Sequence, residues 1–314
     1  KEKKRILITG ANGFIGKNLL THLSRINLFE VFLYSRESSE SDLKDCIQRS
    51  DLIVHLAGEN RPFDIASFEI SNVQLTKKIC DYASQSPNKI PIIFSSSVQV
   101  KNNNPYGASK LAAEALLKKY SEKNKVPVIS FRFPGIFGKW AKPNYNSVVA
   151  TFCFNIANGL PIALSDKEKK LNLCYIDDII ELIIESVHGI DNYVEFNEIN
   201  VSGKYLVTLS QLSEKIYSFR DSQKTLQLSH VGSGFDRALY ATYVSYLPKN
   251  KFFYDLKTKT DERGSFTEVL KTIDSGQISF LRINPGHSRG KHFHHTKLEK
   301  FIVVSGVSKF RFRN

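Results

Sequence analysis

The sequence predicts an α/β fold, a doubly wound parallel sheet, followed by a smaller all-β region. Three observations predict it. Short β-branched runs alternate with amphipathic helical stretches from Arg5 to about residue 180, the pattern of parallel strands joined by crossover helices. A glycine-rich turn, Thr9-Gly10-Ala11-Asn12-Gly13-Phe14-Ile15-Gly16, closes the first run. Past residue 240 the texture changes to Tyr, Phe, Lys and turn residues with short strand-like runs. At 314 residues the chain exceeds what one core usually holds, so two domains are expected. They are residues 1–245 and 246–314, with the break at Tyr246-Leu247-Pro248-Lys249-Asn250-Lys251.

Strands are expected at residues 5–9, 31–35, 52–56, 90–95, 126–131 and 173–176, several without polar alternation, as strands covered on both faces should be. Helices are expected at residues 13–24, 41–49, 65–83, 105–123, 147–158 and 177–187, with another at 210–217 capped by Thr208. In the all-β region the strand-like runs are residues 277–283 and 300–304.

An apolar fraction of 41% with mixed charge belongs to a chain that folds throughout. The net charge of +13 invites a nucleic-acid reading, but Lys and Arg are scattered apart from Lys1-Glu2-Lys3-Lys4-Arg5 and Lys167-Glu168-Lys169-Lys170, and base-reading aromatic motifs are missing. No nucleic-acid partner is therefore expected, and the positive field suits an anionic small molecule. Cys46, Cys80, Cys153 and Cys174 lie far apart, without zinc-ribbon spacing or disulfide density, and read as reduced thiols. No run approaches the roughly 20 apolar residues of a membrane helix, and the N-terminus has no signal-peptide apolar region. A cytoplasmic protein without membrane contact is expected.

The glycine turn has the context of a dinucleotide cradle, because it follows a strand and opens a helix. Gly10 permits the tight turn, Gly13 lets a phosphate approach the backbone, and Gly16 lets the helix pack on the strand. Cofactor contacts are expected from Gly10, Asn12, Gly13, Phe14, Ile15 and Gly16 of this Rossmann-like unit. The second strand ends Leu33-Tyr34-Ser35-Arg36, with no carboxylate before Glu37. Ser35 and Arg36 suit a ribose 2′-phosphate, which favours NADPH. His55-Leu56-Ala57-Gly58 ends a third strand and is similar to the segment that the short-chain dehydrogenase/reductase superfamily sets beside the adenosine, a resemblance that implies this role for Leu56, Ala57 and Gly58, while His55 is expected in the core.

Tyr106-Gly107-Ala108-Ser109-Lys110 follows the serine run Ser95-Ser96-Ser97. Residues four apart share a helix face, so the Lys110 ammonium is expected near the Tyr106 hydroxyl, favouring its ionised form. Tyr106 would then act as the acid, Ser97 would bind a carbonyl oxygen, and Lys110 would also hold the nicotinamide ribose. Ser96 competes with Ser97 for that role, because only eight residues separate Ser97 from Tyr106.

These residues resemble an extended short-chain dehydrogenase/reductase acting on nucleotide sugars. Val98-Gln99-Val100 stands where dehydratases of that superfamily carry an Asp-Glu pair, so the resemblance implies simple reduction. Within Arg132-Phe133-Pro134-Gly135-Ile136-Phe137-Gly138, Phe133 is expected to flank the nicotinamide, and Asn144, Tyr145 and Asn146 form the expected substrate loop.

In the C-terminal region, Gly286-x5-His292-x-His294-x4-Glu299-x6-Gly306 resembles the first cupin motif. On a strand, His292 and His294 would face the same way and converge with Glu299 on a metal, zinc first. His287 and His295 lie close enough in sequence to confuse that set. A fourth ligand is expected from beyond Asn314, so the sequence holds the N-terminal part of such a barrel. Asp261-Glu262-Arg263-Gly264-Ser265-Phe266-Thr267-Glu268 is similar to the opening of sugar-nucleotide 3,5-epimerases.

A reductase followed by a cupin resembles the CapF family of bifunctional capsular polysaccharide enzymes. The resemblance implies a UDP-sugar substrate, C3 epimerisation by the cupin, NADPH-dependent reduction at C4, UDP-N-acetyl-L-fucosamine as product, and a homodimer. Two other readings are a reductase with a non-catalytic metal-binding cupin and an NADP-sensing regulator. Such regulators commonly lack the Tyr-Lys relay, which this chain has.

Overall fold

A computed structural model describes residues 3–62, 64–274 and 276–312. The first two residues of the basic N-terminal cluster and the last two of the expected second domain lie outside the described residues.

The chain begins with β1 (Lys4–Thr9), α1 (Phe14–Leu23), β2 (Phe29–Tyr34), α2 (Glu40–Arg49) and β3 (Leu52–His55). Next come α3 (Ala66–Phe68), a π-helical segment (Glu69–Gln74), α4 (Leu75–Gln85), β4 (Ile92–Ser97), α5 (Pro105–Asn124) and β5 (Val128–Phe133). Then follow β6 (Gly135–Phe137), α6 (Val148–Asn158), β7 (Lys170–Tyr175), α7 (Ile176–Gly189), β8 (Phe196–Asn200), β9 (Tyr205–Thr208) and α8 (Leu209–Thr225). The remaining elements are β10 (Gln227–Leu228), α9 (Gly234–Val244), β11 (Thr258–Asp261), β12 (Gly264–Thr272) and β13 (Gln277–Ile283).

Six strands form one sheet in the order β2-β1-β3-β4-β5-β8, every pairing parallel. Successive side chains take opposite faces. Ile6 and Ile8 pack with Leu19 of α1, Phe152 of α6 and Ile180 of α7, while Leu7 packs with Ile47 of α2, Ile79 of α4 and Leu117 of α5. Helices therefore cover both faces, which explains the apolar runs. Chain order reverses at β1, between β2 and β3, so a crevice opens beyond the C-terminal ends of β1 and β3.

Two strands start later than the sequence suggests. Pro91 and Pro127 lack an N–H, and the residue before each is pushed away from regular pairing. Their carbonyls instead accept from Ile53 and Ile92, and β4 and β5 begin at Ile92 and Val128. β4 also runs two residues further than expected, taking Ser96 and Ser97 into the strand and placing Phe133 opposite Ser97. The expected helix at 65–83 is interrupted by the π-helical segment, which turns Asn72 into the interior. Thr208 does cap α8, its hydroxyl accepting from the Gln211 N–H in a capping box, and that helix runs on to Thr225.

β12 pairs with β11 and β13 antiparallel and with β10 in parallel, so the C-terminal sheet is hydrogen-bonded to a strand that precedes residue 245. The expected strand at 300–304 is not formed. A strand needs a neighbouring backbone to pair with, and Phe301, Ile302, Val303 and Val304 stand exposed on chain without a ladder. All four cysteines are free. Among the described residues no helix is long and apolar enough to cross a membrane.

The first turn of α5 is held by Asn104, whose side chain accepts from the Gly107 N–H at 2.8 Å. A Cβ at Gly107 would lie 2.1 Å from the Gln99 carbonyl oxygen. Gly107→Ala is therefore expected to cost about 1–3 kcal/mol of overpacking, read as a lower urea midpoint; an unchanged midpoint would show that this turn is not closely packed.

Candidate active site

Gly10 leaves β1 with φ of +71°, a conformation that disfavours other residues. A Cβ there would meet the Ala57 N at 2.7 Å, and one at Gly16 would meet the Gly10 carbonyl oxygen at 2.4 Å. The turn thus fits directly under the Leu56-Ala57-Gly58 segment, and α1 packs onto it. Gly13 caps α1 without a side-chain hydrogen bond, and no acidic residue lies in the first turn. The free N–H groups of that turn, around Phe14 and Ile15, favour a bound anion. Asn12 is exposed beside them.

At the end of β2 the cofactor residues have partners that their sequence positions did not reveal. The Ser35 hydroxyl donates to Glu37 at 2.5 Å, and the Asn12 side chain approaches the same carboxylate at 3.5 Å. Hydrogen bonding from Ser35 holds the Glu37 carboxyl below its ordinary range. Arg36, itself exposed, pairs with Glu59. The two groups suited to a 2′-phosphate are each held by a carboxylate. Glu59 is fixed in turn by Asn72, which accepts from the Glu59 N–H at 2.7 Å and donates to its carbonyl at 2.9 Å.

His55 is a core residue, as expected. It is fully buried between Thr9 and Thr76, with ring nitrogens 2.7 and 2.9 Å from the two hydroxyls. Burial pulls its pKa down to about 3, so it stays neutral.

Ser97, Tyr106 and Lys110 meet where β4 runs into α5. Strand alternation separates the two competing serines: the Ser97 hydroxyl, which accepts from the Gln99 N–H at 3.2 Å, lies on the side of the Tyr106 phenol, whereas Ser96 faces Glu114 on the other side. Lys110 is buried, its Nζ donating to the Ser95 carbonyl at 2.8 Å and lying 4.7 Å from the Phe94 ring centre. Burial pulls its pKa down to about 8, and Glu114 opposes that shift.

One expectation is corrected here. Lys110 does not acidify Tyr106, because its ammonium is turned to the Ser95 carbonyl. Burial raises the phenol pKa, the neighbouring Ser97 hydroxyl works the other way, and nearby Tyr145 raises it further. The phenol consequently keeps its proton at neutral pH. Phe68 of α3 packs against it with ring centres 5.9 Å apart.

Of the expected substrate loop, Tyr145 is brought towards Tyr106, while Asn144 and Asn146 stay exposed. Arg61 donates to the Tyr145 carbonyl at 2.6 Å, and the Asn144 N–H donates to Thr151 at 2.9 Å. Phe133 is buried and packed on Phe131, so it walls the site beneath Ser97 and presents little surface to a ligand.

Sequence reasoning missed Asn72, Phe68, Arg61 and Glu59. Only Asn72 left a signal, as an amide at a buried helical position. It links Glu59 to Ser109, donating to the Ser109 hydroxyl at 2.9 Å.

His292, His294 and Glu299 also come together, with their ligand atoms all within 4.8 Å of one another. They do so on irregular exposed chain and not on the expected strand, which forms no ladder here. Glu299 lies 3.3 Å from His294 and 3.1 Å from Lys297, whose hydrogen bond lowers the carboxyl pKa. Two nitrogens and one oxygen are a donor set that zinc accepts. Lys297 would compete for the oxygen.

Residues 6–202 match the NAD dependent epimerase/dehydratase family, and residues 259–314 match the polysaccharide biosynthesis C-terminal domain. The chain is 44% identical, over 99% of its length and 83% of the relative's, to UDP-2-acetamido-2,6-beta-L-arabino-hexul-4-ose reductase of Pseudomonas aeruginosa. The crystal structure of the capsular polysaccharide assembling protein CapF from Staphylococcus aureus superposes with a TM-score of 0.82 at 40% identity, covering 93% of this chain and 78% of that one. UDP-glucuronic acid 4-epimerase of Bacillus cereus, solved with UDP-glucuronic acid and NAD, has a TM-score of 0.66 at 17% identity, covering 77% of this chain and 98% of that one, and shows the shared fold. With its parallel sheet, its glycine cradle and a family match over most of its length, the chain belongs to the NAD dependent epimerase/dehydratase family.

Proposed function

We propose that this chain is an NADPH-dependent nucleotide-sugar 4-ketoreductase whose C-terminal region epimerises C3 of the same UDP-4-keto-6-deoxy-N-acetylhexosamine, on the route to UDP-N-acetyl-L-fucosamine for capsule or O-antigen. The observation that carries this reading is the meeting of Ser97, Tyr106 and Lys110 beside Gly58 and the glycine cradle. The 44% identity to a UDP-sugar reductase supports the substrate class.

NADPH would supply the hydride. The Tyr106 phenol, which burial keeps protonated, would give its proton to the C4 carbonyl oxygen, so that a ketone receiving the hydride at C4 would leave as an alcohol. Ser97 donates a hydrogen bond to that oxygen and stabilises the charge that develops there. The Lys110 ammonium contributes positive charge behind the site and a donor for the nicotinamide ribose. Gly10, Gly13 and Gly16 would hold the pyrophosphate, Leu56, Ala57 and Gly58 would line the adenosine side, and Phe133 would support the nicotinamide end from within the core. Ser35 and Arg36 would hold the 2′-phosphate, in exchange for their present partners Glu37 and Glu59. Asn144, Tyr145 and Asn146 close over the sugar nucleotide.

We assign reduction to residues 1–245 and epimerisation to residues 246–314, a cupin in which His292, His294 and Glu299 hold Zn2+ as polariser or structural anchor. A 4-ketone acidifies the C3 proton, so a base can remove it and return it on the other face; reduction at C4 then prevents reversal. The working form is taken to be a cytoplasmic homodimer.

With a synthetic 4-keto substrate, Tyr106→Phe is expected to lower NADPH oxidation by about 10²–10⁴-fold while solvent deuterium still enters at C3. Unchanged turnover would refute the role of Tyr106, and no exchange in the intact protein would refute epimerisation. Arg36→Ala is expected to raise KM for NADPH about tenfold or more, the loss of one charge-assisted contact, and to leave KM for NADH within about twofold. Equal effects on both cofactors would remove the preference.

A further inference from the structure

Lys110 is followed one helical turn later by a second buried charge, Glu114. Residues at this spacing stand over one another on a helix. The carboxylate does not fold back onto the ammonium. Glu114 Oε1 accepts from Arg132 Nε at 3.0 Å and from the Ser130 hydroxyl at 3.0 Å, while Oε2 accepts from Arg132 Nη2 at 2.5 Å. Glu198 of β8 takes the other side of the guanidinium. Both Glu114 (4% exposed) and Arg132 (9%) lie inside, between α5 and the sheet. Burying two charges that serve packing alone is poor economy, since apolar residues of similar volume do as well or better.

We propose that the Glu114–Arg132 ion pair is the positioning element of Lys110: it fixes a negative charge one helical turn below the ammonium and holds that charge out of the ammonium's reach. Nζ is thereby left to the Ser95 carbonyl and the open side of the site. The surroundings support this. From β3, His55 faces Lys110 but is neutral; the π-helical segment contributes the amide of Asn72; β4 contributes a carbonyl and the Phe94 ring; on α5 itself Tyr106 is protonated. Glu114 is the charged group that opposes the pull of burial on Lys110. Burial works against Glu114 too, yet the hydrogen bonds from Arg132 and from the Ser130 hydroxyl hold its carboxyl below the ordinary range.

This inference rests on the reductase reading, in which Lys110 must be charged. Rates should then fall as pH rises through about 8. Glu114→Gln removes the supporting charge, so Lys110 loses its proton at lower pH and the alkaline limb of kcat/KM moves down. For a shift of one unit the rate above the limb drops about tenfold, while the acid side stays within about twofold. Arg132→Gln frees the same carboxylate to act on Lys110, and the limb is expected to move up. Damage to the fold would lower both profiles at every pH.

The proposal is overturned if Glu114→Gln leaves both the limb and the Lys110 titration in place, or if both variants move the Lys110 titration the same way. Should Glu114→Gln fail to fold, Arg132→Gln alone decides between an upward move and none. The Lys110 ionisation, followed by 13C-ε-lysine NMR with the resonance assigned by its loss in Lys110→Arg, gives the same test without turnover. If that titration moves in the expected directions and the rate profile does not, the ion pair acts as stated and the reductase reading fails.

Discussion

The hydrogen bond from the buried Lys110 ammonium to the Ser95 carbonyl ties the first turns of α5 to the end of β4, and the rest of the site is arranged around it. An ammonium taken out of water must keep donors satisfied and some negative charge close by, or it gives up its proton. The Ser95 carbonyl, the Phe94 ring face and the Glu114 carboxylate meet those needs from the strand and the helix together. With helix and strand fixed in this register, Tyr106 comes to stand against Ser97, one residue past the pair of strand positions that face Lys110 and Glu114. Close packing enforces the same register, because Gly107 leaves no space between α5 and the turn at Gln99, and Gly58 approaches Lys110 with none to spare.

Much of this could be read from the chain. Gly10, Gly13 and Gly16 follow a strand and precede a helix; Gly10 and Gly16 stand where a Cβ would meet backbone under 3 Å away, and Gly13 leaves only tight room for one. Unbroken apolar runs reported strands covered on both faces, and the four-residue spacing of Tyr106 and Lys110 placed both on one helix face. The departures have local causes. Proline displaced the starts of β4 and β5 by removing an N–H donor, and because β4 runs on through Ser97, strand alternation puts Ser96 and Ser97 on opposite faces. The relation between Tyr106 and Lys110 was misjudged because spacing says that two groups are neighbours, not which acceptor a flexible ammonium selects.

What stayed hidden were contacts made across the fold. Glu59 lies 23 residues from Arg36 in sequence, and nothing local marks it as the guanidinium's partner. The same holds for Glu114 and Arg132, joined from helix to strand. A cofactor phosphate reaching Ser35 and Arg36 would exchange one anion for another, so the cofactor end of the crevice is shaped around negative charge even as the protein stands. In the C-terminal region the motif spacing did bring His292, His294 and Glu299 together, though on exposed irregular chain and without the strand geometry the spacing implied.

The most direct test is a crystal structure of the protein with NADP+ bound. The expected result is a nicotinamide ring seated beside the Tyr106 hydroxyl and Ser97, with Lys110 within hydrogen-bond reach of the ribose attached to it. A ring bound away from Tyr106, with Lys110 still turned to Ser95 and no path between phenol and cofactor, would contradict the assignment of reduction to this site.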